Sequence, residues 1–290
     1  MPKLTISRKE WLEAATNGNI AQLQKWRKSG ALETRYDPVL VHASPTSGRP
    51  KIFDVYDDDN NSALHTAIRF GQVEYAKALM KIAPFADRAN KKGETAVHLT
   101  LILREKGTEL LYALKEAGYN LDTPDKKGNT PLHWAIGHDN VDNFRFLVEQ
   151  GVSLSTTDDA GRPALHRLAI LQKLEMTKIL LENGVNPNAT SDNRSHPQTA
   201  LHSLIIGMND GDWMNDNGIA VNIFRLLIKY GADETIPLKE TDGQLYSLEE
   251  LARSDKATIK MQEIYAEREA ALLNQATPAV SATPRSSLRL

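Results

Sequence analysis

The sequence predicts an all-α solenoid, because three markers recur in phase along the 290 residues. Regular periods of about 20 to 50 residues are typical of repeat architectures. The first marker is a motif histidine, at gaps of 33, 35, 33 and 36 residues: His65, His98, His133, His166 and His202. The second is a glycine that ends a unit: Gly118, Gly151, Gly184 and Gly231. The third is a turn residue before the motif: Asn60, Gly93, Gly128 and Gly161.

Each unit carries the signals of two helices. Thr130 followed by Pro131 suits a helix start, with a threonine N-cap and a proline in the first turn. Gly151 and Gly184 stand where a helix C-cap requires a positive φ. Apolar residues at helical spacing precede these glycines: Phe144, Leu147 and Val148 in one unit, and Met176, Ile179 and Leu180 in the next.

Two stretches, DKKGNTPLHWA (125–135) and LEMTKILLENGVNPNA (174–189), closely resemble the two halves of an ankyrin repeat. The resemblance to the ankyrin-repeat family covers roughly residues 9–253. It implies a β-turn or hairpin tip and two antiparallel helices in each unit, stacked into a curved array. It also implies contact positions for a partner protein that flank the shared motif.

The chain divides into five predicted regions. They are an N-terminal capping repeat (1–31), an inserted β-hairpin-like loop (32–56), five core repeats (57–240), C-terminal capping helices (241–274) and a disordered tail (275–290). The five core repeats are unit 1 (57–88), unit 2 (89–121), unit 3 (122–154), unit 4 (155–187) and unit 5 (188–233). Terminal repeats of a solenoid are commonly atypical because one of their faces meets water.

Several boundaries rest on local signals. Segments 40–44 and 51–56 read as strands around a turn, which predicts the projecting hairpin. Unit 5 holds an insertion between its helices, at 207–219. In the C-terminal region, Ser247 and Glu250 form a capping-box pattern, and a second helix is expected from Asp255 to about Leu273.

The recurring histidines are predicted to be structural. Catalysis or metal binding requires several groups that converge on one point. The motif histidines are instead about one repeat apart, so each ring is expected to tie the turn of its own unit to its neighbour by hydrogen bonds to buried backbone groups.

Composition excludes several classes of protein. The net charge of −2 selects neither nucleic acid nor a membrane surface. The absence of cysteine excludes disulfides, thiol nucleophiles and cysteine-ligated metal. No apolar run approaches a membrane span or a secretory signal peptide. We therefore expect no cofactor, no metal and no membrane insertion.

The turn tips of units 2 and 3 carry two lysine pairs, Lys91–Lys92 and Lys126–Lys127. Acidic tips lie on either side, at Asp58–Asp59 and at Asp159. One interpretation is a basic notch for an acidic segment or a phosphate. The alternative is a set of solvated tips whose weak ion pairs contribute about 0–1 kcal/mol each.

The first helices are predicted to present an unusually apolar inner surface. Its expected members are Phe70, Ile102, Leu103, His138, Ile170 and Leu171, with Ile206 in unit 5. An exposed apolar stripe usually marks an interface. The alternative is that local packing buries these residues, notably through a lengthened helix over 98–106.

The 207–219 insertion places Trp213 between Met208 and Met214, among Gly, Asn and Asp. Such a tryptophan either folds back onto the array or anchors a partner, since tryptophan is enriched at binding hot spots. Asn188 lies in the turn after Gly184, at a position that resembles the site of asparagine hydroxylation in ankyrin proteins. It is equally a structural turn residue.

The sequence therefore predicts a monomeric, cytoplasmic, non-catalytic module that binds another protein as an adaptor or a competitor. An enzyme is disfavoured, since no acid/base or nucleophile cluster lies outside the repeat positions, and nucleic-acid binding is disfavoured by the narrow basic surface. The alternative setting is a bacterial effector delivered into a host cell by type IV secretion. Its signal would be the helix that bears Glu263, Glu267 and Glu269, followed by Leu288 and Leu290.

Overall fold

The computed structural model describes most of the repeat array. The described residues are 6–29, 31–33, 56–82, 88–191, 197–210, 218–239, 244–252, 261–267 and 269–270. The predicted hairpin within 32–56, Trp213, Met214 and the tail at 275–290 lie outside these ranges, except for Leu32, Glu33 and Tyr56. The side chain of Met208 is also outside the description.

The helices follow one another in pairs. The first helices of the pairs are α1 (Arg8–Asn17), α3 (Ala63–Arg69), α5 (Ala96–Thr100), α7 (Pro131–Gly137), α9 (Ala164–Ile170) and α11 (Ala200–Asp210). The second helices are α2 (Ile20–Lys28), α4 (Val73–Ile82), α6 (Glu105–Glu116), α8 (Val141–Glu149), α10 (Leu174–Glu182) and α12 (Ile219–Lys229). First helices pack on first helices of the next pair, and second helices on second helices. The predicted all-α solenoid is confirmed.

Turn and cap residues explain where the helices begin and end. Thr130 is the N-cap of α7, with Pro131 at its first position. Gly151 and Gly184 have φ of 76° and 78°, the left-handed conformation that a side chain disfavours. Asn60 has φ of 64° and replaces, in unit 1, the turn glycine of later units.

The core runs without interruption through the whole described array, from Ile6 to Ile264. Large aromatic residues, such as Tyr75 on α4 and Phe144 on α8, are fully buried between the stacked pairs. At the N-terminal end, Trp11 and Trp26 meet with ring centroids 5.6 Å apart. A short 3₁₀ turn, Ala31–Glu33, follows α2.

The first helix of unit 2 is shorter than the lengthened helix considered over 98–106, because α5 ends at Thr100. Residues 101–104 form a turn before α6 instead. The Asn140 side chain, which lies in unit 3, donates hydrogen bonds to the carbonyls of Leu101 and Leu103 at 3.4 and 3.3 Å. The neighbouring unit thus satisfies carbonyls that a longer helix would have bonded internally.

The insertion in unit 5 begins later than predicted. Helix α11 continues to Asp210, so residues 207–210 belong to a helix and not to the loop. Helix α12 starts at Ile219.

The C-terminal end caps the last repeat with mixed structure. A two-stranded antiparallel hairpin pairs β1 (Leu238–Lys239) with β2 (Leu245–Tyr246), and α13 (Leu248–Leu251) follows. The predicted capping box of Ser247 and Glu250 is present. A further helix covers residues 261–267, while 253–260, where its predicted start falls, lie outside the description. Across the described ranges, every helix is too short or too polar to cross a membrane.

Candidate partner-binding groove

Four of the five motif histidines, all except His133, bridge successive units by a hydrogen bond. In units 1, 2, 3 and 5, Nδ1 of the histidine accepts a hydrogen bond from the backbone N–H of the serine or threonine N-cap, at 3.0–3.4 Å. Nε2 reaches a backbone carbonyl of the following segment: His65 to Glu94 at 3.1 Å, His98 to Asn129 at 3.2 Å and His202 to Ile236 at 3.0 Å. Because an N–H faces Nδ1, the proton of these rings lies on Nε2.

These rings are neutral, because burial lowers their pKa values. Desolvation brings the pKa of His65 and of His133 to about 4. It lowers the pKa of His98, His166 and His202 as well. In the described part of the chain, no three His, Cys, Asp or Glu residues are grouped so that they could hold a metal ion. The geometry of the motif is that of a structural bridge.

The junction between units 3 and 4 departs from this pattern. Pro163 occupies the N-cap of α9, so His166 meets neither an N–H nor a hydroxyl there. Nδ1 of His166 and Nε2 of His133 are buried without a hydrogen bond within 3.5 Å among the described residues. For His133, a weak interaction with the Thr156 backbone replaces the cross-unit bond.

A groove of about 570 Å³ lies where the turn tips of units 2 and 3 meet the first helices of units 3 and 4. We call it the Trp134 groove. Its lining residues are Lys92, Glu94, Asp125, Lys126, Lys127, Asn129, His133, Trp134, Gly137, His138 and Arg167.

Trp134 is held rigidly in this groove. Its indole N–H donates to Oδ2 of Asp125 at 3.1 Å. Its ring meets His98 edge-on, with centroids 5.3 Å apart, and His138 at 5.7 Å. The side chain is half-buried, so one part of a fixed aromatic surface remains open to a ligand.

Cations from three consecutive units line the groove. Lys92, Lys126 and Lys127 are exposed, and among the residues that the structure describes no carboxylate lies within 4.0 Å of their ammonium groups. Arg167 is more fixed: its guanidinium lies 3.4 Å from Oδ1 of Asn129 and 3.8 Å from Oδ2 of Asp158.

The acidic residues of the groove are already engaged. Oδ1 of Asp125 accepts the backbone N–H groups of Lys127 and Asn129 at 2.8 and 3.0 Å. Oε2 of Glu94 accepts the side chain of Asn90 at 2.7 Å. Partial burial, and then the charge of Arg167, lower the pKa of His138, so this ring is neutral at physiological pH. With four cationic side chains against these two carboxylates, the groove lining is positive overall.

The apolar stripe predicted on the first helices is largely open to solvent. Phe70, Ile102 and Leu171 are 57%, 47% and 42% exposed. Leu103 and Ile170 are half-buried, and so is Ile206. His138 occupies the same repeat position in unit 3, is exposed, and also lines the Trp134 groove. The stripe and the groove therefore adjoin at His138.

The structure brings together three of the four predicted tip lysines. Lys91 is not part of the groove lining. Sequence reasoning missed Trp134 and Arg167, which directly follow a motif histidine. The available signal was the variation at this one position: Thr66, Leu99, Trp134, Arg167 and Ser203.

Asn188 joins two successive turns. Its side chain donates to the carbonyl of Gly231 at 2.9 Å and accepts the N–H of Asp233 at 2.7 Å. Hydroxylation at this residue stays a prediction.

Comparison with known proteins agrees with this architecture. Residues 99–191 match the family model of ankyrin repeats (3 copies). The ankyrin repeat domain of Bcl-3, described as a unique member of the IkappaB protein family, superposes with a TM-score of 0.66 at 22% identity, over 87% of this chain and 97% of that one. The human ASB11 ankyrin repeat domain gives 0.59 at 20% identity, over 93% and 99%. At these identities the likeness concerns the fold.

Proposed function

Since this chain is an ankyrin-repeat protein, we propose that it acts as a non-catalytic module that binds a partner protein through the first helices and turn tips of units 1 to 4. Ankyrin repeats in general serve protein–protein interaction. The finer assignment, to this surface, is our inference from the exposed side chains.

The apolar stripe is the observation that carries the proposal. Three large apolar side chains stand open to water just past the first helices of units 1, 2 and 4: Phe70, Ile102 and Leu171. His138 occupies the corresponding position in unit 3. Large exposed apolar side chains on a folded domain typically mark an interaction site, because covering them removes apolar area from water. The Trp134 groove adds a rigid aromatic side chain beside it, of the kind that dominates binding energies.

Site-directed photo-crosslinking tests this assignment. A benzophenone amino acid replaces Leu171 in one sample and Leu245 in another, which is similarly exposed at 58% but lies in the C-terminal hairpin. We expect the first probe to capture one protein from eukaryotic cell extract and the second to miss it. The captured protein is then purified and titrated against Ile102→Glu, for which we expect at least about a tenfold loss of affinity.

The matched control is Leu245→Glu, which introduces the same charge at an apolar position that is also exposed, at 58% against 47% for Ile102. If both substitutions weaken binding equally, or if only the Leu245 probe crosslinks, the assignment to the stripe is wrong.

We infer a cytoplasmic adaptor as the setting of this binding, with a translocated effector as the alternative. The helix over 261–267, proposed above as part of a secretion signal, buries Met261 and Ile264 against the array. Arg225 donates two hydrogen bonds to Glu267, at 3.0 and 2.8 Å. These contacts support a capping role for this helix, and so favour the adaptor.

A further inference from the structure

We propose that the Trp134 groove recognises an anionic peptide segment of the partner, in which carboxylate or phosphate groups flank an apolar side chain. This inference rests on the proposed function and names the chemistry of the segment that is bound.

The first argument is the balance of free charge. Lys92, Lys126 and Lys127 extend from two adjacent turn tips into the groove. The lining also holds the carboxylates of Asp125 and Glu94, so four cationic side chains, counting Arg167, face two anionic ones and the lining keeps a net positive charge. An anionic ligand would balance this excess of positive charge, which is the condition for electrostatic complementarity at an interface.

The second argument is the fixed orientation of Arg167. Nη1 of this guanidinium lies 3.8 Å from the buried carboxylate of Asp158, which accepts two hydrogen bonds from Arg162, and 3.4 Å from Oδ1 of Asn129. A guanidinium presents parallel N–H donors that match carboxylate and phosphate oxygens. Because Arg167 is already oriented, less side-chain entropy is lost when it binds such a group.

The third argument is the position of Trp134 among these cations. Its ring is fixed by Asp125, His98 and His138, and it offers an apolar surface in the centre of a positive rim. A residue that packs on this ring, with anionic neighbours in the peptide, would use both features together.

The surroundings of the groove favour a short peptide over a nucleic acid. Asp59 on one side, and Asp159 on the other, are exposed acidic tips in units 1 and 4, whereas Asp58 is already paired with Arg8. They would repel a polyanion that continues past units 2 and 3. Single-stranded nucleic acids also require several aromatic platforms for successive bases, and the groove lining contains one tryptophan.

Fluorescence anisotropy with defined peptides tests the proposal without the natural partner. The probes are a labelled nonapeptide with a central leucine between glutamates, the same peptide with phosphoserine beside the leucine, a glutamine counterpart, and oligouridine. We expect both anionic peptides to bind at least about tenfold more tightly than the glutamine peptide, with affinity that falls as salt is added. The ratio of the first two separates carboxylate from phosphate as the preferred group.

Matched variants locate the binding. Lys126→Ala/Lys127→Ala and Arg167→Ala should each weaken the anionic peptides by about tenfold. Lys81→Ala/Lys115→Ala removes the same charge from exposed positions on α4 and α6, and should change affinity less than about twofold. The indole N–H signal of Trp134, identified by its loss in Trp134→Phe, should shift on titration with the anionic peptides. Circular dichroism verifies that each variant is folded.

Three results would overturn the inference: equal binding of the glutamine peptide, equal loss in the Lys81/Lys115 control, or tighter binding of oligouridine. They are distinct from a failure of the proposed function. Crosslinking at Leu171 without any preference for anionic peptides leaves the partner-binding proposal intact and refutes the anionic segment alone.

Discussion

Units 3 and 4 carry the same motif histidine but surround it differently. In unit 3, Thr130 supplies a backbone N–H and a hydroxyl to His133. In unit 4, Pro163 supplies neither to His166. The difference shows that the motif histidine supplies only the acceptor, Nδ1, of the hydrogen bonds at the start of the helix. The residue three positions earlier must supply the donors.

The incomplete junction also lies beside the Trp134 groove. Arg167 follows His166 directly, and the turn of unit 4 is built around Asp158, which binds Arg162 and lies near Arg167. Departures from the local rules of a fold are typically found at functional sites. Unit 4 therefore combines the weakest histidine network with the best-oriented cation.

Of the effects that we expect, acidification should change the stability of these histidine junctions most. The pKa of His65 and His133 is about 4 in the folded chain and about 6.5 when unfolded, so the unfolded state binds more protons between these values. The folding stability that depends on these two neutral histidines is fully present above about pH 6.5, and it falls as the pH drops towards 4. At pH 5 each of the two histidines should destabilise the array by about 2 kcal/mol.

Urea unfolding at pH 7 and pH 5 measures this loss, and hydrogen exchange shows where it begins. We expect the amides of α7 and α9 to lose protection first, because their junction has fewer bonds to lose. The slope of the unfolding free energy against pH reports how many protons the chain takes up on unfolding. In His65→Gln this number should fall by about one. Equal stability at both pH values would contradict the prediction.

Removing single histidines should separate complete from incomplete networks. His98→Ala leaves the buried N–H of Thr95 unpaired and should cost about 3 kcal/mol. His166→Ala removes a single bond, to the carbonyl of Gln198, and should cost about 1–2 kcal/mol. Chemical denaturation of both variants provides the measurement, and a larger loss in His166→Ala would reverse our ranking of the junctions.

Pro163→Thr should repair unit 4 by giving it the TALH motif of unit 5. The new backbone N–H and hydroxyl can meet Nδ1 of His166, as those of Thr199 meet His202. We expect a net gain in folding stability of about 1 kcal/mol. The new hydrogen bonds stabilise the folded state by more than is lost when proline no longer restricts the unfolded chain. The pKa of His166, followed by NMR titration, should also fall, because a donor then faces Nδ1. An unchanged pKa would show that the network did not form.

Gln172→Gly should have the smallest effect. Gln172 has φ of 54°, at the repeat position where unit 1 has Gly71 with φ of 67°. Glycine adopts this conformation without the steric cost of a side chain, so we expect a gain below about 1 kcal/mol. The midpoint of thermal unfolding measures it, and Gln172→Ala, which keeps a Cβ, is the control that should show no gain.

The fold was readable from the sequence because every unit must satisfy the same backbone groups, and so repeats the same residues. Thr130, Pro131 and the glycines indicate where helices start and end from the local sequence alone. The turn at 101–104 was not readable, since Asn140 of the next unit decides it. The lysine tips were found as charges, but Trp134 and Arg167 were hidden beside the motif, and the orientation of Arg167 depends on the buried Asp158.

The histidine bridges also give the array a direction. Where Nε2 makes its cross-unit bond, at His65, His98, His166 and His202, the acceptor lies further along the chain. In these four cases, the segment that supplies the carbonyl acceptor is synthesised after the unit that carries the histidine. A chain shortened from its C-terminal end leaves an imidazole without its acceptor, whereas one shortened from its N-terminal end strands none. During synthesis, these four imidazoles therefore reach their acceptors only after the following segment has been made.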